Sequence, residues 1–180
     1  MALSATVYKA DLDVSDMDRH YYANHALTLA LHPSETEERM MVRLLAFALN
    51  ADEALSFTRG LSAEDEPDLW KKDLTGDIDL WIEVGQPDER RLRKACGRAR
   101  KVIVYAFGGR TADIWWEKIA KDLARLENLN VFRLDEEGST ALASLVRRGM
   151  RLSCSIQDGE VWLSDGQVNI SATPRPLMGG

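Results

Sequence analysis

The chain has 180 residues, with 23 Lys and Arg against 29 Asp and Glu and a formal net charge of -6. That length allows one domain with a substantial core, and the acidic balance, with pI near 5.1, excludes a general nucleic-acid coat protein, which needs a positive surface to grip phosphates. Cys96 and Cys154 lie far apart in apolar patterns with no zinc spacing, so they are expected as small core residues of a reduced, cytoplasmic protein. No basic segment leads into an apolar run at the N-terminus and no span is long enough for a bilayer, so no membrane partner is expected.

In chain order, extended runs from about Leu3 to Val14 and from about Tyr22 to Leu31 flank Ser15 to Asp18 and predict a long antiparallel hairpin. His20, His25 and His32 fall here without a metal-ligand spacing and read as structural or surface residues. Ser34 with Glu37 three positions on is a capping box, and the helix it opens runs to about Asn50. Met40, Met41, Val42, Leu44, Leu45 and Phe47 make that helix apolar over more than half its circumference, with Arg39 and Arg43 on its outer side. Glu38 projects into the apolar sector and therefore needs a partner: a salt bridge, for instance to Arg59 or to the basic helix described below, or a metal site. Leu55 to Thr58 reads as a short strand, Ser62 to Pro67 as an acidic loop, and Asp68 to Lys72 as one helical turn.

The segment from Gly76 to Lys101 carries the chemistry. Ile78, Leu80, Ile82 and Val84 alternate with Asp77, Asp79, Trp81 and Glu83, so a strand sends aliphatic groups to one face and carboxylates to the other. Pro87 ends the strand and Asp88 caps a helix that buries Leu92, Ala95, Cys96 and Ala99. Arg90, Arg91, Arg93, Lys94, Arg98, Arg100 and Lys101 are left on its remaining surface. Acids on a strand that feeds a cationic helix suit a metal-dependent phosphodiesterase, because the acids hold the ion and the cations hold phosphate. The same pattern also describes the solvated face of an ordinary α/β domain.

Val102 to Phe107, bounded by Gly108 and Gly109, reads as a parallel strand buried on both faces. A helix capped by Thr111 follows, with a stripe of Trp115, Trp116, Ile119, Leu123 and Leu126. A strand from Asn130 to Leu134 and a helix from Glu136 to Arg148 then complete a parallel βαβ pattern. Asp158-Gly159 and Asp165-Gly166 mark the turns of a C-terminal antiparallel meander, with Trp162 packed on its sheet. A single domain is expected over residues 1–173, with 174–180 as a mobile tail.

His32-Pro33-Ser34-Glu35-Thr36, Phe57-Thr58-Arg59-Gly60-Leu61, Ile78-Asp79-Leu80-Trp81-Ile82-Glu83, Pro87-Asp88-Glu89-Arg90-Arg91 and Ile156-Gln157-Asp158-Gly159 together resemble the YaeQ family of bacterial proteins, over almost the whole chain. The resemblance implies a restriction-endonuclease-like α/β fold, a variant of the PD-(D/E)XK nuclease fold, with a mixed sheet flanked by helices. By that motif the helix acid falls on Glu38, the strand acid on Glu83 and the preceding acid on Asp79, with Asp79 and Glu83 as ligands of Mg2+ or Mn2+. The motif Lys is replaced by Gly85. Lys94 on the next helix is its candidate substitute, and Arg90, Arg91 and Arg98 are candidate nucleic-acid contacts. Regular strand would hold Asp79 and Glu83 roughly 13 Å apart, too far to share an ion, so either a bulge shortens the path or Pro67-Asp68 supplies the first acid. The expected activity is metal-dependent hydrolysis of nucleic-acid phosphodiesters. The alternatives are a catalytically silent nucleic-acid-binding or protein-binding module and a regulator bound to the transcription machinery.

Overall fold

The computed structural model describes residues 4–179, the side chain of Ser62 excepted. In chain order its elements are β1 (Thr6–Asp16), β2 (Tyr21–Leu31), α1 (Glu37–Leu49), β3 (Leu55–Phe57), β4 (Leu69–Lys72), β5 (Ile78–Val84), α2 (Glu89–Arg98) and β6 (Ala99–Ala106). There follow α3 (Arg110–Leu123), β7 (Leu129–Arg133), α4 (Glu136–Ala143), β8 (Gly149–Gln157), β9 (Glu160–Ser164), β10 (Asn169–Ser171) and β11 (Arg175–Met178). The result is a mixed α/β fold with two mixed sheets. The described residues form two compact units, 4–51 with 137–173 and 52–136 with 174–179. Among the described residues no helix is long and apolar enough to cross a membrane.

In the first unit the predicted hairpin forms as β1 paired with β2. The expected meander does not stand apart from it. Strand β8 pairs parallel with β1, giving one sheet in the order β10-β9-β8-β1-β2. Both strands alternate with one apolar face, Ala10, Leu12 and Val14 on β1 and Met150, Leu152 and Cys154 on β8, so side-by-side pairing buries both stripes together. Asp158 and Gly159 both take positive φ, 53° and 78°, as a two-residue hairpin turn requires. Trp162 is 45% exposed instead of packed on the sheet, because the alternation of β9 buries Val161 and Leu163.

Helix α1 is buried from Met40 to Ala48, as its pattern predicts. Its cap is Thr36, which accepts from the Arg39 N–H at 3.1 Å, while Ser34 is engaged by His32. Arg43 is not on the outer side. It is buried and donates to both oxygens of Glu35, at 2.8 and 2.7 Å, and to the Ala30 carbonyl, because the buried Glu35 carboxylate needs cationic partners.

The second unit holds the sheet β11-β7-β6-β5-β4-β3, parallel through β5, β6 and β7 and antiparallel elsewhere. Residues 69–72, expected as a helical turn, are strand β4, whose backbone groups are satisfied by ladders to β3 on one side and β5 on the other. Asp88 caps α2 by accepting from the Arg91 N–H at 2.8 Å. The helix ends at Arg98, and Ala99, Arg100 and Lys101 belong to β6, whose pairing with β5 starts at Ile78 opposite Ala99. Leu92 and Ala95 join Trp81, Val102, Val104, Leu123 and Val131 in the core. Gly109, not Thr111, caps α3; the Thr111 hydroxyl donates to the Gly108 carbonyl. Helix α4 stops at Ala143, short of the expected Arg148. Residues 175–178, expected as a mobile tail, pair antiparallel with β7 and cover its otherwise open edge.

Candidate functional site

The antiparallel register of β4 and β5 places Leu69 opposite Ile82, so Asp68, just before β4, stands across from Glu83. The Asp68 N–H donates to the Ile82 carbonyl at 3.0 Å, and Asp68 Oδ2 accepts from the Val84 N–H at 2.8 Å. Both acids are buried, at 3% and 4% exposure. Glu83 Oε1 accepts from Trp81 Nε1 at 2.9 Å and from Arg91 Nε at 2.8 Å. The other arms of Arg91 donate to the carbonyls of Glu64 and Glu66, each at 2.6 Å. Arg98 donates to the Asp65 carbonyl at 2.8 Å and lies 5.0 Å from the centre of the Trp81 ring. Two arginines one helical stretch apart thus hold three consecutive carbonyls of the acidic loop beside the acid pair.

Burial, and next the charge of Asp68, push the Glu83 carboxyl up to about 7, against the opposing pull of Arg91 and Trp81. A carboxylate forced to carry charge beside another in a dry site favours a proton or a cation. Two carboxylates are a common protein contribution to Mg2+, the rest of whose coordination is completed by water and substrate phosphate. The hard oxygen donors of Asp68 and Glu83 fit Mg2+ or Mn2+ in that sense. Among the described residues no group of three or more His, Cys, Asp or Glu is gathered for a metal.

The structure distributes the sequence-derived candidates unevenly. Asp79 turns to Arg100, whose guanidinium also meets Asp73 at 3.0 Å and Asp77 at 3.6 Å, while Glu83 meets Trp81 and Arg91. Of the two sources weighed for the first acid, the one brought opposite Glu83 is Asp68. Gly85 has φ of 104°, a conformation that disfavours a lysine at that position. Lys94 and Arg90 are exposed on α2. Glu38 lies in the first unit, half-buried, and accepts from the Ser139 hydroxyl at 3.2 Å; Arg59 pairs with Glu66. The Trp81 N–H and the loop carbonyls held by Arg91 and Arg98 have no signature in the sequence. Asp68, the alternative source of the first acid, directly precedes a strand where a helical turn is expected. A cavity of about 750 Å³ in the first unit, lined by Lys9, Asn24, Thr28 and Arg151 among others, is bordered by none of these acids.

A mixed α/β protein with a buried carboxylate pair where two antiparallel strands meet is the class that fold and site define. The chain belongs to the YaeQ family: residues 1–174 match the family described as YaeQ protein. It is 52% identical over 170 residues to the YaeQ protein of Salmonella typhi, covering 94% of each chain. To that of Escherichia coli K12 it is 48% identical over 180 residues, covering 98% of this chain and 99% of the other. The crystal structure of YaeQ protein from Xanthomonas axonopodis pv. citri superposes with a TM-score of 0.95 at 55% identity, over 98% of this chain and all of the other. That from Pseudomonas syringae superposes at 0.93 with 38% identity, over 98% and 97%.

Proposed function

We propose that the protein is a divalent-metal-dependent phosphodiesterase acting on nucleic acid, with Asp68 and Glu83 as the metal-holding pair. The observation that carries this reading is the buried juxtaposition of the two carboxylates, which raises the affinity of Glu83 for positive charge. When bound, Mg2+ or Mn2+ supplies a water of lowered pKa and polarises the phosphoryl oxygens. Asp68 is fixed by the Val84 N–H and Glu83 by the Trp81 N–H, so both carboxylates are oriented before a ligand arrives. Arg90 and Lys94, exposed and without an ion pair among the described residues, present charge to an approaching phosphate backbone.

Titration with Mn2+, coupled to cleavage of a DNA and RNA panel by the wild type, Glu83→Ala and Asp68→Asn, tests it. Metal-dependent cutting lost in both variants is the expected result. Absence of Mn2+ binding and of cutting in the wild type would overturn it. A second reading is favoured by Arg91, whose guanidinium already neutralises Glu83, together with the missing lysine: a catalytically silent module that binds nucleic acid through α2. Strongly salt-dependent binding without turnover would select it.

A further inference from the structure

Arg91 is the one cation in contact with Glu83 among the described residues, and its side chain is 31% exposed where that of Glu83 is 5% exposed. An anion from solvent therefore meets the guanidinium before a metal ion meets the carboxylate. A divalent ion bound at Glu83 with Arg91 in place would sit within a few ångströms of a fixed positive charge. A phosphodiester offers Arg91 two charged oxygens in the bidentate geometry that guanidinium favours, and so replaces the bond to Glu83 with interactions of the same kind. The other two arms of Arg91 hold the carbonyls of Glu64 and Glu66, and Arg98 holds that of Asp65.

We propose that Arg91 is a resident counter-cation of the Asp68–Glu83 pair, displaced by a phosphodiester anion, so that divalent-metal binding to the acids and phosphodiester binding to Arg91 reinforce each other. This rests on the reading of Asp68 and Glu83 as the metal-holding pair. Linkage makes the coupling reciprocal: the phosphodiester raises the affinity for metal by the same factor as metal raises the affinity for phosphodiester.

The test is calorimetric titration of Mn2+ into the full chain at pH 8, alone and with saturating dimethyl phosphate or a phosphorothioate-linked thymidine dinucleotide. The wild type is expected to bind Mn2+ at least tenfold more tightly with a phosphodiester present. Arg91→Gln, verified as folded by its circular dichroism melt, is expected to bind at least tenfold more tightly without the probe and to stop responding to it. Wild-type binding indifferent to both probes, or Arg91→Gln binding no more tightly than wild type, overturns the proposal while leaving the acid pair standing. Failure of both proteins to bind Mn2+ under any of these conditions overturns the acid pair as well. Coupling by dimethyl phosphate assigns the effect to the bare phosphodiester, and coupling by the dinucleotide alone assigns it to a nucleic-acid source.

Discussion

Strand β5 has carboxylates and an arginine at each end, and the two clusters behave in opposite ways. Before and at its start, Asp73, Asp77 and Asp79 surround the exposed Arg100. There the Thr75 hydroxyl, backbone N–H groups and Arg100 hold the Asp73 carboxyl down to about 2. At its far end, burial and the neighbouring Asp68 push Glu83 up to about 7 even with Arg91 attached. Both clusters pair carboxylates with an arginine; the number of donors and the degree of burial differ. In water an acid gains from each donor and loses little to its neighbours, whereas in a dry site desolvation and like charge outweigh an arginine and an indole N–H.

The largest expected effect that tests this contrast is a pH dependence. Because the folded-state pKa of Glu83 is raised from 4.5 to about 7, the folded protein keeps its proton where the unfolded chain has lost it. The associated stability is complete below 4.5 and lost as pH rises through 7, amounting to at most about 3 kcal/mol. Urea denaturation should show the wild type losing stability over that window and Glu83→Gln losing little. Asp68→Asn keeps an acceptor for the Val84 N–H but removes the neighbouring charge. It should return the Glu83 titration, followed by carboxyl NMR, toward the ordinary range, stabilise the protein by about 1 kcal/mol at pH 8, and weaken Mn2+ binding at least tenfold. Arg98→Ala removes the contact over Trp81 and the bond to the Asp65 carbonyl, and should cost about 1 kcal/mol in the same denaturation assay. Asp79→Asn, in the exposed cluster, should change stability by less than about 0.5 kcal/mol and leave Mn2+ affinity unaltered. A strong loss of Mn2+ binding in that last variant would reverse the assignment of the two ends.

Much of this protein is legible from periodicity and local turn chemistry. The alternation of β1 and β2, the apolar circumference of α1, the Asp88 cap and the Asp158-Gly159 turn each depend on neighbours within a few residues, so the amino-acid order alone specifies them. Glu83 is set apart from Asp77 and Asp79 by the motif resemblance and not by the alternation of β5, both of whose faces are buried toward its end. What only tertiary structure decided is which surfaces those elements meet. Residues 69–72 become a strand because β3 and β5 flank them, and residues 175–178 become one because β7 has an edge to cover. Arg43 turns inward because Glu35 is buried there, and Asp68 rather than Asp79 faces Glu83 because antiparallel register, not distance along the strand, sets who stands opposite whom. Register and burial are properties of segments distant in sequence, and no local pattern of residues encodes them.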